Sequence, residues 1–132
     1  MLAPLKNIIC KEMELSVNNY SIYVLECSDG SLYTTSSSED KDSFLIRHND
    51  GKGVPYTKGR LPVRIFWMHE GLKNRWVATE TVFAIRRLCK YKKHRLFKGD
   101  KNLLNEVLSQ GLKNGPSREK NYKRYLKIVG VG

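Results

Sequence analysis

The chain has 132 residues, a hydrophobic fraction of 40%, and 24 Lys and Arg against 13 Asp and Glu, for a formal charge of +11. That length suits one domain with tails, and the composition excludes a fully disordered or a fibrous protein. No apolar run approaches the ~18 residues of a membrane span, and residues 1–19 lack the uninterrupted apolar core of a secretory signal, so the chain is expected to stay inside the cell, in cytoplasm, nucleoid or organelle matrix.

Residues 1–19 read as an N-terminal extension in which Leu2, Leu5, Ile8 and Ile9 suit a helix that covers a sheet edge or binds a partner. Ser21 to Cys27 is β-branched and aromatic, Ser28-Asp29-Gly30 supplies turn chemistry, and Ser31 to Thr35 is strand-like again, which predicts a β-hairpin. Asp42 to His48 is a short helix candidate with Phe44 and Leu45 turned inward and Ile46 a further candidate for that face. Leu61 to Met68 alternates, with Leu61, Val63, Ile65 and Trp67 on one face and Pro62 at the start, as a third strand would.

From Val77 to Phe97 the period becomes helical, with Val82, Ile85 and Cys89 on one stripe and Arg86, Lys90 and Lys93 on another. Asp100 is a plausible N-cap for a second helix, whose apolar face is Leu103, Leu104, Val107, Leu108 and Leu112 and whose end is expected at Gly115-Pro116-Ser117. The basic and aromatic tail from Arg118 to Gly132 reads as an extra element or a free arm. Together these elements predict a small α+β fold, a three-stranded antiparallel sheet flanked by helices, with N- and C-terminal extensions. Cys10, Cys27 and Cys89 are an odd number at unpatterned spacing, and neither they nor His48, His69 and His94 show metal-ligand spacing, so reduced structural thiols are expected and zinc is not.

The charge is lopsided. Residues 1–50 carry four basic and eight acidic side chains, and residues 51–132 carry twenty and five. Such a field favours a polyanion, nucleic acid being the commonest.

The run from Ser21 to Thr34 resembles the opening of the GIY-YIG nuclease superfamily, in particular its small stand-alone members related to the nuclease module that serves bacterial excision repair. Ser21-Ile22-Tyr23 stands where GIY belongs and Tyr33-Thr34-Thr35 where YIG belongs. The stretch from Arg47 to Arg64 is similar to the family's HN-x-GKG-x-x-YT-x-GR-x-PV pattern, and the resemblance extends over residues 20–97. It implies a GIY-YIG-like domain at 20–97, followed by a C-terminal helix and basic tail at 98–132.

Phosphodiester hydrolysis needs an activated nucleophile, a group that stabilises the added negative charge and commonly a divalent metal. The resemblance implies that Tyr33 helps to activate water, that Tyr23 hydrogen-bonds nearby and that His48 lies near the phosphate. It also implies an arginine on the first helix, where this chain has Ser43 or Phe44, a metal-binding glutamate where it has Val82, and a glycine where it has Thr35. Valine offers no oxygen to a hard cation. Arg47, one helical turn beyond Ser43, is the nearest substitute for the arginine, whereas Glu80, about 200° round from Val82, points away from the site, and Glu70 is unconstrained. Against these roles stand plain structural ones: strand aromatics for the tyrosines, a helix cap for His48, and packing for Trp67 and Trp76.

Arg86, Arg87, Lys90, Lys92, Lys93, Arg95 and Lys98 place seven cations in thirteen residues with no acid between them, a repulsion that a polyanion relieves. Lys52, Lys58, Arg60 and Arg64 extend the expected nucleic-acid-binding set. The leading expectation is therefore a degenerate GIY-YIG domain that binds DNA or structured RNA without cutting it, with no cofactor and no membrane partner. Two alternatives stay open. One is an active endonuclease with relocated residues and Mg or Mn; the other is a structural RNA-binding subunit with protein partners in a ribonucleoprotein or repair complex.

Overall fold

In the computed structural model, which describes residues 19–130, strand β1 (Tyr20–Glu26) turns back into strand β2 (Leu32–Ser37). Asp29 fixes the turn, since its carboxylate accepts from the Ser31 amide at 3.0 Å and from the Ser31 hydroxyl at 2.6 Å. Gly30 takes the positive φ of 85° that the turn requires. Strand β3 (Arg64–Leu72) pairs with the other edge of β1, giving an antiparallel sheet in the order β2-β1-β3. The expected α+β fold with a three-stranded antiparallel sheet and helices is what the chain adopts.

Register explains a departure on β3. Tyr23 lies opposite Met68 and Leu25 opposite Ile65, so a bulge replaces strict alternation between Ile65 and Met68. Ile65 and Met68 therefore pack with Tyr23, Leu25, Cys27, Phe44 and Val63 in the core, while Trp67 lies beside Val24 on the opposite face. Leu61, Val63 and Ile65 share a face as expected; Trp67 does not, because the bulge inverts the alternation at that point.

Helix α1 (Lys41–Arg47) starts where the Asp40 carboxylate accepts from the amides of Asp42 and Ser43, both at 3.1 Å, and it buries Phe44. It runs into a wide π-type turn, His48–Lys52, which Gly51 closes with a φ of 78°. Helix α2 (Pro55–Lys58) has proline at its first position, where the missing amide costs nothing.

The described chain divides into two compact units between Arg75 and Trp76. The second is helical: α3 (Arg75–Arg86), α4 (Lys90–Phe97) and α5 (Lys101–Ile128). The single helix expected over 77–97 breaks after Arg86, and Cys89 is extended, with a ψ of 165°. Cys89, expected on the apolar stripe with Val82 and Ile85, is exposed at this break, while Leu96 of α4 is buried.

Helix α5 does not end at Gly115-Pro116. The tail from Arg118 is part of the same helix, because packing on α3 overrides the local breaker. A Cβ at Gly111 would lie 2.0 Å from Thr81 Oγ1, and one at Gly115 would lie 2.9 Å from Val77 Cγ2, so only glycines allow the two backbones this close. Pro116 and Leu112 sit on the exposed side, where water can satisfy the carbonyl that the proline leaves unpaired. The helical expectation for residues 1–18 and the thiol of Cys10 lie outside the described residues.

Candidate functional site

Tyr23 comes from the middle strand and is buried, its ring stacked on Phe44 at 4.2 Å between centroids and 12° between planes. Its hydroxyl donates to the backbone carbonyl of Glu39 at 2.7 Å. Burial pushes its pKa above the ordinary 10, a hydrogen bond with Ser21 opposes the shift, and the nearby carboxylates Asp40, Glu70 and Glu39 add to it. A phenol so placed stays protonated at neutral pH, with its proton engaged by the Glu39 carbonyl.

Tyr33 lies on β2 opposite Leu25 and is half-buried. Its ring stacks on Tyr56 of α2 at 5.3 Å, and the guanidinium of Arg60 covers Tyr56 4.0 Å from its centroid. Arg60 is held by the Asp29 carboxylate at 3.0 Å and by the Tyr56 carbonyl at 2.8 Å. Asp29 of the hairpin turn, Tyr33 of β2, Tyr56 of α2 and Arg60 just beyond α2 thus form one pile.

The motif stretch between Arg47 and Arg64 has an internal explanation at nearly every position. His48 is buried, 4.4 Å from the Phe44 ring, and its Nδ1 lies 3.1 Å from the Thr57 hydroxyl. That hydroxyl donates to the Val54 carbonyl at 3.1 Å, so the imidazole supplies the proton of the pair. Gly53 is pressed on the ring, since a Cβ there would meet His48 Nδ1 at 2.3 Å. Asn49 acts as a surrogate strand residue, donating to the Val63 carbonyl at 3.0 Å and accepting from the Val63 amide at 2.8 Å. Burial, with Arg47 adding to it, holds the His48 pKa below 6.5.

Arg47 does not project freely. Its Nε lies 3.1 Å from both Glu39 oxygens, one Nη lies 2.8 Å from Oε1, and the other donates to the Lys52 carbonyl at 3.1 Å. Beside Tyr23 opens a cleft of about 760 Å³ whose lining sets Glu39, Asp40, Asp42 and Glu70 against a single cation, Lys41. Such a lining repels phosphate. The divalent metal that the resemblance implies has no matching donor set: Val82 is buried and apolar, and no three His, Cys, Asp or Glu side chains among the described residues converge on a metal-sized site. Glu80 is buried and paired with Arg118 of α5.

The expected binding cations fall in both units. Lys52 and Lys58 are exposed, and Arg64 pairs across the strands with Glu26. In the helical unit Arg86 and Arg87 end α3 and its exit, and Lys90, Lys92, Lys93 and Arg95 lie on α4. Arg95 is paired with Asp100, whereas Arg87, Lys90, Lys92, Lys93 and Lys98 have no carboxylate partner among the described residues.

No protein-family model matches the chain. It is similar to a UPF0213 protein of Bacillus licheniformis, 32% identical over 105 residues that cover 80% of this chain and 99% of the relative. The chain belongs to the UPF0213 family. A Staphylococcus aureus UPF0213 protein is 34% identical over 82 residues, 62% of this chain and 98% of its own. The solution structure of the UPF0213 protein of Bacillus halodurans is 31% identical, covers 65% of this chain and 93% of its own, and superposes with a TM-score of 0.40.

In this UPF0213 chain the motif reading overlooked Tyr56, Asp29 and Glu39, the partners that fix Tyr33, Arg60 and Arg47. Tyr56 was visible in the Tyr56-Thr57 pair of the motif. The pairing of Asp29 with Arg60 and of Glu39 with Arg47 carried no local signal, because the partners lie 31 and 8 residues apart in sequence. No described helix is long and apolar enough to cross a membrane.

Proposed function

We propose that this protein binds nucleic acid on a GIY-YIG-like scaffold that does not cut it. One observation carries the reading: the charge is concentrated in the helical unit. Residues 76–132 hold fourteen basic and four acidic side chains, a net +10, against ten and nine in residues 1–75. Five cations around α4 lack carboxylate partners among the described residues, so the repulsion between them is unrelieved by the protein itself. Phosphates of DNA or structured RNA would relieve it, through backbone contacts that carry affinity more than sequence specificity.

Loss of cleavage is supported from the other unit. The Tyr23 hydroxyl is committed to Glu39, Arg47 is tied to the same residue, the neighbouring cleft is acidic, and the donors for a divalent metal are missing among the described residues. The persistence of His48, Asn49, Gly53 and Thr57 follows from their mutual contacts and requires no catalytic role.

The test is a titration of labelled duplex DNA, branched DNA and structured RNA across salt concentrations, with Mg²⁺ or Mn²⁺ present, read on native and denaturing gels. Shifted, uncut substrate is expected, and the triple variant Lys90→Gln/Lys92→Gln/Lys93→Gln should reduce the slope of log affinity against log salt by about 2 to 3. Absence of salt-dependent binding to every substrate sinks the proposal. Cutting that Tyr33→Phe abolishes would return the protein to the endonucleases.

A further inference from the structure

The helical unit carries a second feature that phosphate binding by α4 does not use. Along α5 the buried residues are Leu103, Val107, Gly111 and Gly115, the last two lying against Thr81 and Val77 of α3. On a helix the same stripe continues through Arg118, Tyr122, Tyr125 and Val129. Arg118 closes the packed part by pairing with Glu80, its guanidinium 4.8 Å from the Phe83 centroid. Tyr122 then meets Trp76, at the start of α3, with centroids 5.0 Å apart. There α3 ends and α5 does not.

The stripe beyond that point is exposed. Tyr122 is 42% exposed, Tyr125 56% and Val129 46%, and the two tyrosine rings are 6.5 Å apart. Residues 120–132 contain no acid, while Lys123 and Arg124 lie on either side of the tyrosines, with Lys120 and Lys127 behind them. Lys123 reaches Glu119 at 3.1 Å; Lys120, Arg124 and Lys127 have no carboxylate partner among the described residues.

Two flat aromatic faces flanked by Lys123 and Arg124, on a helix end that carries no acid, call for a partner that is anionic and also offers flat apolar surfaces. Double-stranded nucleic acid keeps its base faces stacked inside, whereas unpaired nucleotides present phosphate and base face together. A second copy of this strongly basic unit would bring like charges together. We infer that the last turns of α5 bind unpaired nucleotides, with Tyr125 and Tyr122 stacking bases and Arg124, beside the stripe, contacting phosphate. This rests on the nucleic-acid reading above and narrows it to molecules with single-stranded segments, loops or junctions.

The experiment compares the affinity of the full chain for a labelled oligothymidylate and for a duplex of equal length, in the wild type and in Tyr125→Ala, Tyr125→Phe and the Lys90/Lys92/Lys93→Gln triple variant. Tyr125→Ala should weaken the single strand roughly 5- to 100-fold and leave the duplex unchanged, whereas Tyr125→Phe should bind like the wild type. Because Tyr125 is exposed, unchanged thermal unfolding of each variant excludes a folding defect.

Equal losses on both substrates, or no loss on either, overturn the inference. So does a change in sedimentation mass without a change in affinity, which would mark the stripe as a contact between copies. If the wild type binds neither substrate, the broader proposal has failed; if the duplex binds in an α4-dependent way and Tyr125→Ala is silent, only this inference has.

Discussion

The Tyr23 hydroxyl and the Glu39 carbonyl oxygen are 2.7 Å apart, joining the middle strand to the segment that enters α1. The tyrosine is 1% exposed and its ring is stacked on Phe44. Tyr23→Phe keeps the stack and removes the donor, leaving a part-buried carbonyl without it, at a cost of about 1 to 2 kcal/mol. Urea unfolding should show that loss, with nucleic-acid affinity unchanged. A variant that unfolds like the wild type and loses binding would make Tyr23 a contact residue instead.

Gly111 and Gly59 make opposite predictions for one substitution. Gly111→Ala drives a methyl group into Thr81 Oγ1 and to 2.8 Å from the Val77 carbonyl, where the backbone cannot yield. Overpacking of this kind costs about 1 to 3 kcal/mol. Gly59 has nothing within 4 Å of an added Cβ and a φ of −89°, so Gly59→Ala should be neutral or stabilising by about 0.5 kcal/mol, through a more restricted unfolded chain. Paired thermal melts check both. Equal effects would mean that α5 does not approach α3 through these glycines.

The same helix shows where sequence reading stops. The hairpin was legible because alternation and Asp29-Gly30 are local signals, and the Asp100 cap obeys a local rule. The continuation of α5 through Pro116 was not legible, since the breaker is local and the contacts that override it, at Gly111, Gly115 and Arg118, come from α3. Motif residues were visible as a pattern and opaque as chemistry: nothing in the order of letters shows that Gly53 presses on the His48 ring or that Asn49 bridges to Val63. The bulge that turns Trp67 away from the core depends on pairing with β1, which residue spacing within β3 does not contain.

Two histidines set a pH dependence. Burial holds the pKa of both His48 and His69 below 6.5, with Arg47 adding to the effect at His48 and Glu70 opposing it at His69. The unfolded chain therefore takes up protons first as the pH falls, and the folded state loses stability from about pH 7 downward until the folded imidazoles protonate in turn. Chemical denaturation at about pH 7.5 and pH 5.5 should show lower stability at the acid value. His69→Gln should remove part of that difference and His48→Gln another part. A stability that stays flat or rises toward pH 5.5 would contradict the neutral, buried His48 that the Phe44, Thr57 and Gly53 contacts imply.

Arg47 is where the scaffold and chemical readings part most cleanly. As a substitute phosphate ligand it would need its guanidinium turned toward a substrate; instead three of its donor contacts go to Glu39 and one to the Lys52 carbonyl. That pairing also holds the Glu39 carboxyl below the usual range, Arg47 being the largest cause. Both side chains are about a third exposed, so solvent screens the pair and its coupling is modest. A double-mutant cycle with Arg47→Gln and Glu39→Gln should give a coupling of about 1 kcal/mol in urea unfolding, and Arg47→Gln should leave the salt slope of nucleic-acid binding unchanged. A slope that drops by about 1 with no coupling to Glu39 would mean that Arg47 leaves Glu39 for phosphate when substrate binds, and the acidic wall beside Tyr23 would then have lost its clamp at the moment a polyanion arrives.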